Sequence, residues 1–170
     1  QIDSENYVFT LQKAFDKYIE KQTGVKIFGL FPIKVALILQ TMAKKLDEKL
    51  FFNVMVVGDA STGKTLVLKY YLFLLNHYFN LSTNGLSISI PALRGTRSSI
   101  DLFGKDYKIV TIGHLGTYHS IHIDEAGESE ELVQNLKTFL LESNYSYDKT
   151  GGNGISKRRT AHVNLSQNLN

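Results

Sequence analysis

Residues 58–65 read Gly-Asp-Ala-Ser-Thr-Gly-Lys-Thr and fit G-x-x-x-x-G-K-[ST] at every fixed position. That spacing suits one kind of chemistry, the holding of a chain of phosphates. Glycines let a loop curl until successive backbone N–H groups point inward at phosphate oxygens. Gly58, Ala60, Ser61, Thr62 and Gly63 would form that cradle, and a helix opening directly after it would add its positive dipole end. Lys64 would neutralise the β- and γ-phosphates, and Thr65 would place its hydroxyl on Mg²⁺. The expected ligand is ATP with Mg²⁺.

About sixty residues later, the apolar strand His119-Ser120-Ile121-His122-Ile123 ends in Asp124-Glu125. An acid pair after a strand often does no more than cap the next helix. Following a phosphate loop at this separation, it suits metal and water: Asp124 would hold Mg²⁺ through water, and Glu125 would polarise the attacking water. Asp124, Glu125, Lys64 and a polar sensor of the γ-phosphate would then be the catalytic set. Asn164, Asn168 and Asn170 all lie at or beyond the last strand; Asn168 is favoured because it falls past the strand tip. The five histidines suggest no metal site, and His119 and His122 read as half-buried or interfacial.

These groups need elements to place them. Tyr7, Val8, Leu11, Phe15, Tyr18 and Ile19 recur at helical spacing over residues 5–21, and Pro32 opens a second helix with the stripe Val35, Leu39, Met42 and Leu46. Residues 52–57 form a buried strand, and residues 65–79 a helix apolar almost all round. Ser87–Ile90, Lys108–Ile112 and 119–123 are read as further strands, followed by a helix from Ser129 to Leu141. Tyr145–Tyr147 and Lys157–Thr160 would pair as a hairpin across Gly151-Gly152-Asn153-Gly154, before a last strand, Ala161–Ser166. Alternating strands and helices imply an α/β fold, a mostly parallel sheet flanked by helices. Residues 1–50 lead into a core of 51–170, one structural domain.

The 170 residues suffice for such a domain. With 43% hydrophobic and 21% charged residues the composition is that of a globular protein, and the lack of cysteine excludes disulfides and a thiol nucleophile. The densest apolar run, Leu66–Leu75, includes Lys69 and is too short for a membrane span, so no membrane partner is expected. The expected location is intracellular, cytoplasmic or nuclear. The chain opens on Gln1 and reads as part of a longer polypeptide. Net charge is only +3, but its signs separate: Asp124, Glu125, Glu128, Glu130 and Glu131 are acidic, whereas Lys149, Lys157, Arg158 and Arg159 are basic. Such a division suits a metal-bound nucleotide at one place and an anionic polymer at another. Tyr145 and Tyr147 beside Lys149 are the aromatic-plus-cation pattern that stacks bases and holds phosphate.

Several segments together resemble the minichromosome-maintenance (MCM) helicases, a branch of the AAA+ ATPases. Gly58-Asp-x-Ser-Thr-x-Lys with Leu68-Lys69-Tyr70 is similar to that family's phosphate loop and first helix. Ile27-Phe28-Gly29 followed by Ile33-Lys34-Val35-Ala36-Leu37 resembles its entry segment, Arg94-Gly95-Thr96-Arg97-Ser98-Ser99 its R-G-S-S stretch, and Ile123-Asp124-Glu125 its Walker B acids. Tyr145–Ile155 falls where the family carries its presensor hairpin, and Arg159 to Asn168 matches the run to its sensor asparagine. The likeness implies a P-loop AAA+ core with a presensor hairpin, and self-association into a hexameric ring with ATP held between subunits. It also implies a motor on single-stranded DNA, gripped by Lys149 and Tyr147. The arginine finger and sensor-2 arginine of the family do not occur within these residues. The divergence between motifs suits a replication protein of a mobile element or virus. Other AAA+ proteins share the hairpin, so a MoxR- or chelatase-type remodeller of protein, or an ATP switch without turnover, are the alternatives.

Overall fold

Four short segments form one sheet. They are β1 (Val54–Gly58), β2 (Asn80–Asn84), β5 (Ser120–Asp124) and β8 (His162–Asn168), in the spatial order β1-β8-β5-β2, every neighbour parallel. Parallel neighbours need long crossovers, and helices supply them. The computed structural model describes residues 4–46, 51–75, 80–141, 144–146 and 156–169. On one side lie α1 (Ser4–Thr23), α2 (Phe31–Leu46) and α3 (Lys64–Leu75). On the other are α4 (Ile90–Arg94), α5 (His114–Thr117) and α6 (Glu130–Leu141).

Both faces of the two inner strands, β5 and β8, are buried, but they are built differently. Ile121, Ile123, Val163 and Leu165 pack with Leu93, Leu132, Leu136 and Phe139 as one apolar core. The opposite face is apolar only along β1, where Val54 and Val56 meet Leu37, Ile38, Val67, Leu68 and Tyr71. Further along that face stand Ser120, His122, Asn164 and Ser166, none of them exposed to solvent. Burying a polar group costs about 1–3 kcal/mol unless it is hydrogen-bonded, and these are paired. Gln40 of α2 donates to Asn164 Oδ1 (2.8 Å) and to the Phe52 carbonyl (2.5 Å), and its own amide oxygen accepts from Asn164 and Ser120.

Polar bonds also decide which side of α2 turns inward. The expected stripe of Val35, Leu39 and Met42 is not the buried one: Leu39 and Met42 are more than 40% exposed, while Lys34, Leu37, Ile38 and Gln40 are buried. Lys34 donates to Asp16 (2.8 Å) and to the Ile27 carbonyl (2.6 Å), and Tyr71 donates to the same carboxylate (2.7 Å). These bonds join α1, α2 and α3 and fix the rotation of α2. At the far end of the sheet, Arg159 donates to the carbonyls of Ala161 (2.7 Å) and Phe139 (2.5 Å) and to Asn53. Burial lowers its pKa to about 10, which leaves it a cation at neutral pH.

Ser87–Ile90 is not a strand. The neighbouring strand is the polar segment Asn80–Asn84, and Ser89 caps α4, its hydroxyl accepting from Ala92 N (3.3 Å) with Pro91 in the first turn. Lys108–Ile112 belongs to β4 (Lys105–Ile112), which pairs antiparallel with β3 (Gly95–Leu102) outside the parallel sheet. A two-residue turn of positive φ, Phe103 and Gly104, joins these two strands. β6 (Asn144–Ser146) and β7 (Ser156–Arg158) form a second antiparallel pair, with Tyr145 opposite Lys157. Tyr147, Lys149 and the glycine turn lie outside the described residues, as does the end of the helix expected to run to residue 79.

Candidate functional site

The register aligns the carboxyl ends of the parallel strands. Gly58 pairs with Asn168, Asp124 with Ser166, and Asn84 with Asp124. Ligands of open α/β sheets bind beyond this edge. A cleft of about 610 Å³ lies there, lined by residues 60–66, Lys69, Asp124, Glu125 and Asn168.

Between β1 and α3 the loop is wound by two left-handed residues, Ser61 (φ 62°) and Gly63 (φ 83°). A side chain at such a φ is strained, which is why glycine is wanted at position 63. Thr62 closes the loop through its hydroxyl to the Asp59 carbonyl (2.9 Å). Lys64, the first residue of α3, is only 6% exposed. Its ammonium donates to Gly58 O (2.8 Å), Asn168 Oδ1 (3.1 Å), Thr62 Oγ1 (3.3 Å) and Asp59 O. All these acceptors are neutral. A nearly buried cation without a counter-charge is costly, and it stands at the mouth of a cleft where an anion could enter.

One residue on, Thr65 Oγ1 donates to Asp124 Oδ2 (2.9 Å). Asp124 Oδ1 accepts from Ser166 Oγ (2.6 Å) and from the Glu125 amide (3.2 Å). Behind Ser166 sits His122, whose pKa burial lowers to about 4, so the ring is neutral. Thr65 and Asp124 supply a hydroxyl and a carboxylate, hard oxygen donors of the kind Mg²⁺ takes. Mg²⁺ keeps several waters and substrate oxygens. It therefore needs no cluster of three acids or histidines, and the described residues contain none.

Glu125 is in the left-handed conformation (φ 52°). Gly85 lies against it: its N–H donates to the Asp124 carbonyl (2.7 Å), and a Cβ there would stand 2.6 Å from the Glu125 carbonyl oxygen. Asn84 Nδ2 donates to Glu125 Oε2 (2.7 Å), and Asn84 Oδ1 accepts from Leu86 N (2.9 Å), so the amide is oriented by its own turn. The sequence reading missed Asn84 and Ser166. Nothing in residues 80–84, Asn-Leu-Ser-Thr-Asn, marks a strand that ends at a functional edge.

Gly58, residues 60–65, Asp124, Glu125 and Asn168 are thus brought together. Asn168 is the last residue of β8, not beyond it, because that strand runs two residues further than expected. Asn164 is buried against Gln40, away from the cleft, and Asn170 lies outside the described residues. His122 is fully buried within its strand, not half-buried. No helix among the described residues is long and apolar enough to cross a membrane. No family model matches this chain, and no curated protein matches it.

Proposed function

We propose that this chain is the ATP-binding and ATP-hydrolysing core of an AAA+ motor related to the MCM helicases, with single-stranded DNA as its track. The observation that carries the reading is the Lys64 ammonium. It is nearly buried, held by neutral oxygens alone, and opens on a cleft bounded by Thr65, Asp124 and Glu125.

The parts suit phosphoryl transfer to water. Lys64 would exchange its carbonyl partners for the β- and γ-phosphate oxygens, with the loop amides around Ser61 and Gly63 holding the chain from below. Thr65 and Asp124 would hold Mg²⁺, Asp124 through water. When bound, that ion neutralises charge between the two phosphates. Glu125 would take the proton of the attacking water as the terminal P–O bond breaks to give ADP and phosphate. Asn168 already contacts Lys64, so its amide is within reach of the same phosphate as a sensor. The β6–β7 pair would be the presensor hairpin, and Tyr147 and Lys149 between its strands would grip DNA. Completion of the site by a neighbouring copy in a ring, hexameric by resemblance, belongs to the same proposal.

The test is ATP turnover by the purified protein with and without single-stranded DNA, in wild type, Lys64→Ala and Glu125→Gln. The expected result is turnover that DNA stimulates and that both substitutions abolish. Turnover indifferent to DNA would refute the track and turn attention to a protein substrate. Binding without turnover would make the module a switch.

A further inference from the structure

Four side chains on three adjacent strands form a single hydrogen-bonded line that ends on the carboxylate proposed to serve the metal. Ser82 Oγ on β2 lies 3.0 Å from His122 Nδ1 on β5. His122 Nε2 lies 2.8 Å from Ser166 Oγ on β8, and Ser166 Oγ lies 2.6 Å from Asp124 Oδ1. His122 and Ser166 are wholly buried.

The direction of the line follows from the chemistry of its ends. An ionised carboxylate accepts only, so the Ser166 hydroxyl donates to Asp124. That hydroxyl has one proton, so towards His122 it must accept, and the imidazole carries its proton on Nε2. Nδ1 is then bare and accepts from Ser82. One tautomer satisfies every link, and the carboxylate selects it through Ser166.

At the other carboxylate oxygen Thr65 donates at 2.9 Å. Both oxygens of Asp124 are therefore pinned, one from α3 and one from inside the sheet. The Thr65 proton is turned towards Asp124, which leaves a lone pair of its oxygen for the cleft.

We propose that His122, acting through Ser166, is a positioning residue that orients Asp124 for a divalent cation, with Ser82 donating to its bare Nδ1. This rests on the reading of Asp124 as a Mg²⁺ ligand. Outer partners of metal ligands commonly set affinity by about 10–100-fold. An apolar strand would pack this position without cost. The buried His122–Ser166 pair is explained by the carboxylate it serves.

The experiment measures binding of a fluorescent ATP analogue to the purified protein, first in EDTA and then as Mg²⁺ is added. Wild type is compared with Ser166→Ala, His122→Phe and His122→Gln, whose amide can replace the Nε2 donor. Ser166→Ala and His122→Phe should raise the Mg²⁺ midpoint by about 10-fold and leave binding in EDTA as in wild type. His122→Gln should return the midpoint most of the way. A Mg²⁺ midpoint in Ser166→Ala equal to that of wild type would overturn the proposal. So would a loss of binding in EDTA as large as that in Mg²⁺, which marks a purely structural role. If Ser166→Ala does not fold, as judged by its melting curve, equal midpoints for His122→Phe and His122→Gln would overturn it instead. Wild-type binding that Mg²⁺ does not strengthen would remove Asp124 as a ligand, and the line's purpose with it.

Discussion

Glu125 occupies a backbone conformation that costs a non-glycine residue about 1–3 kcal/mol, and it is held there by its neighbours. Gly85 leaves room under its carbonyl, and the Asn84 amide ties down its carboxylate at 2.7 Å. A carboxylate so engaged has part of its acceptor capacity spent. A hydrogen bond to a charged group is worth about 1.5–3 kcal/mol, so freeing the carboxylate raises the share of molecules able to reach water by roughly 10-fold or more. Asn84→Ala should therefore raise basal ATP turnover by about that factor and leave ATP affinity unchanged. Steady-state kinetics beside equilibrium binding would check it. A fall in turnover would show that Asn84 instead aims Glu125 productively. The two partners differ in legibility for a physical reason. The role proposed for residues 58–65 runs through consecutive backbone groups, so the pattern is local and visible in sequence. Asn84 acts across 41 positions, through a strand pairing that no spacing announces.

At the scale of elements, the buried Lys34–Asp16 pair clamps three helices, the last of which opens directly after the loop of residues 58–63. Lys34 is 1% exposed, and Asp16 also accepts from Tyr71, whose pKa is raised by its burial first and by Asp16 second. Removing one member of a buried pair leaves the other charge stranded, at about 3–5 kcal/mol. Asp16 is 26% exposed, which places this pair at about 2–3 kcal/mol. Asp16→Ala, which strands the ammonium, should cost more than Lys34→Met, which removes the buried charge. Urea midpoints of the two variants give the order, and the reverse order would refute the argument. The same clamp explains what sequence could and could not give here. Helices α1, α2, α3 and α6 and strands β1, β5 and β8 were legible because their apolar periods and boundaries are local. The buried side of α2 was not, since the helix is apolar on several sides and a lysine and a glutamine settle which one faces in. Of the β3–β4 ribbon only Lys108–Ile112 was legible as a strand; β3 and the pairing were not, because both strands are largely exposed and carry no alternation set by a core.

Across the whole molecule, the sheet separates two tasks by face. The side towards α4, α5 and α6 is apolar and supplies packing, whereas the side towards α2 and α3 buries the polar stripe that leads to the cleft. That division makes the fold sensitive to acid. His122 is neutral inside the sheet because burial lowers its pKa from 6.5 to about 4, an effect that Asp124 opposes only in part. In the unfolded chain it titrates near its ordinary value, so between pH 6.5 and about 4 the unfolded state binds more protons than the folded one. Stability is then complete above pH 6.5 and falls as pH drops through that window. The slope is about 1.4 kcal/mol per pH unit, or about 3 kcal/mol in all. His114, also lowered by burial, adds to the fall in the same direction. Urea melts in metal-free buffer across this range should show the slope in wild type and most of it gone in His122→Gln, which has no imidazole to charge. A slope that survives that substitution would place the acid sensitivity elsewhere and leave the polar face of the sheet indifferent to pH.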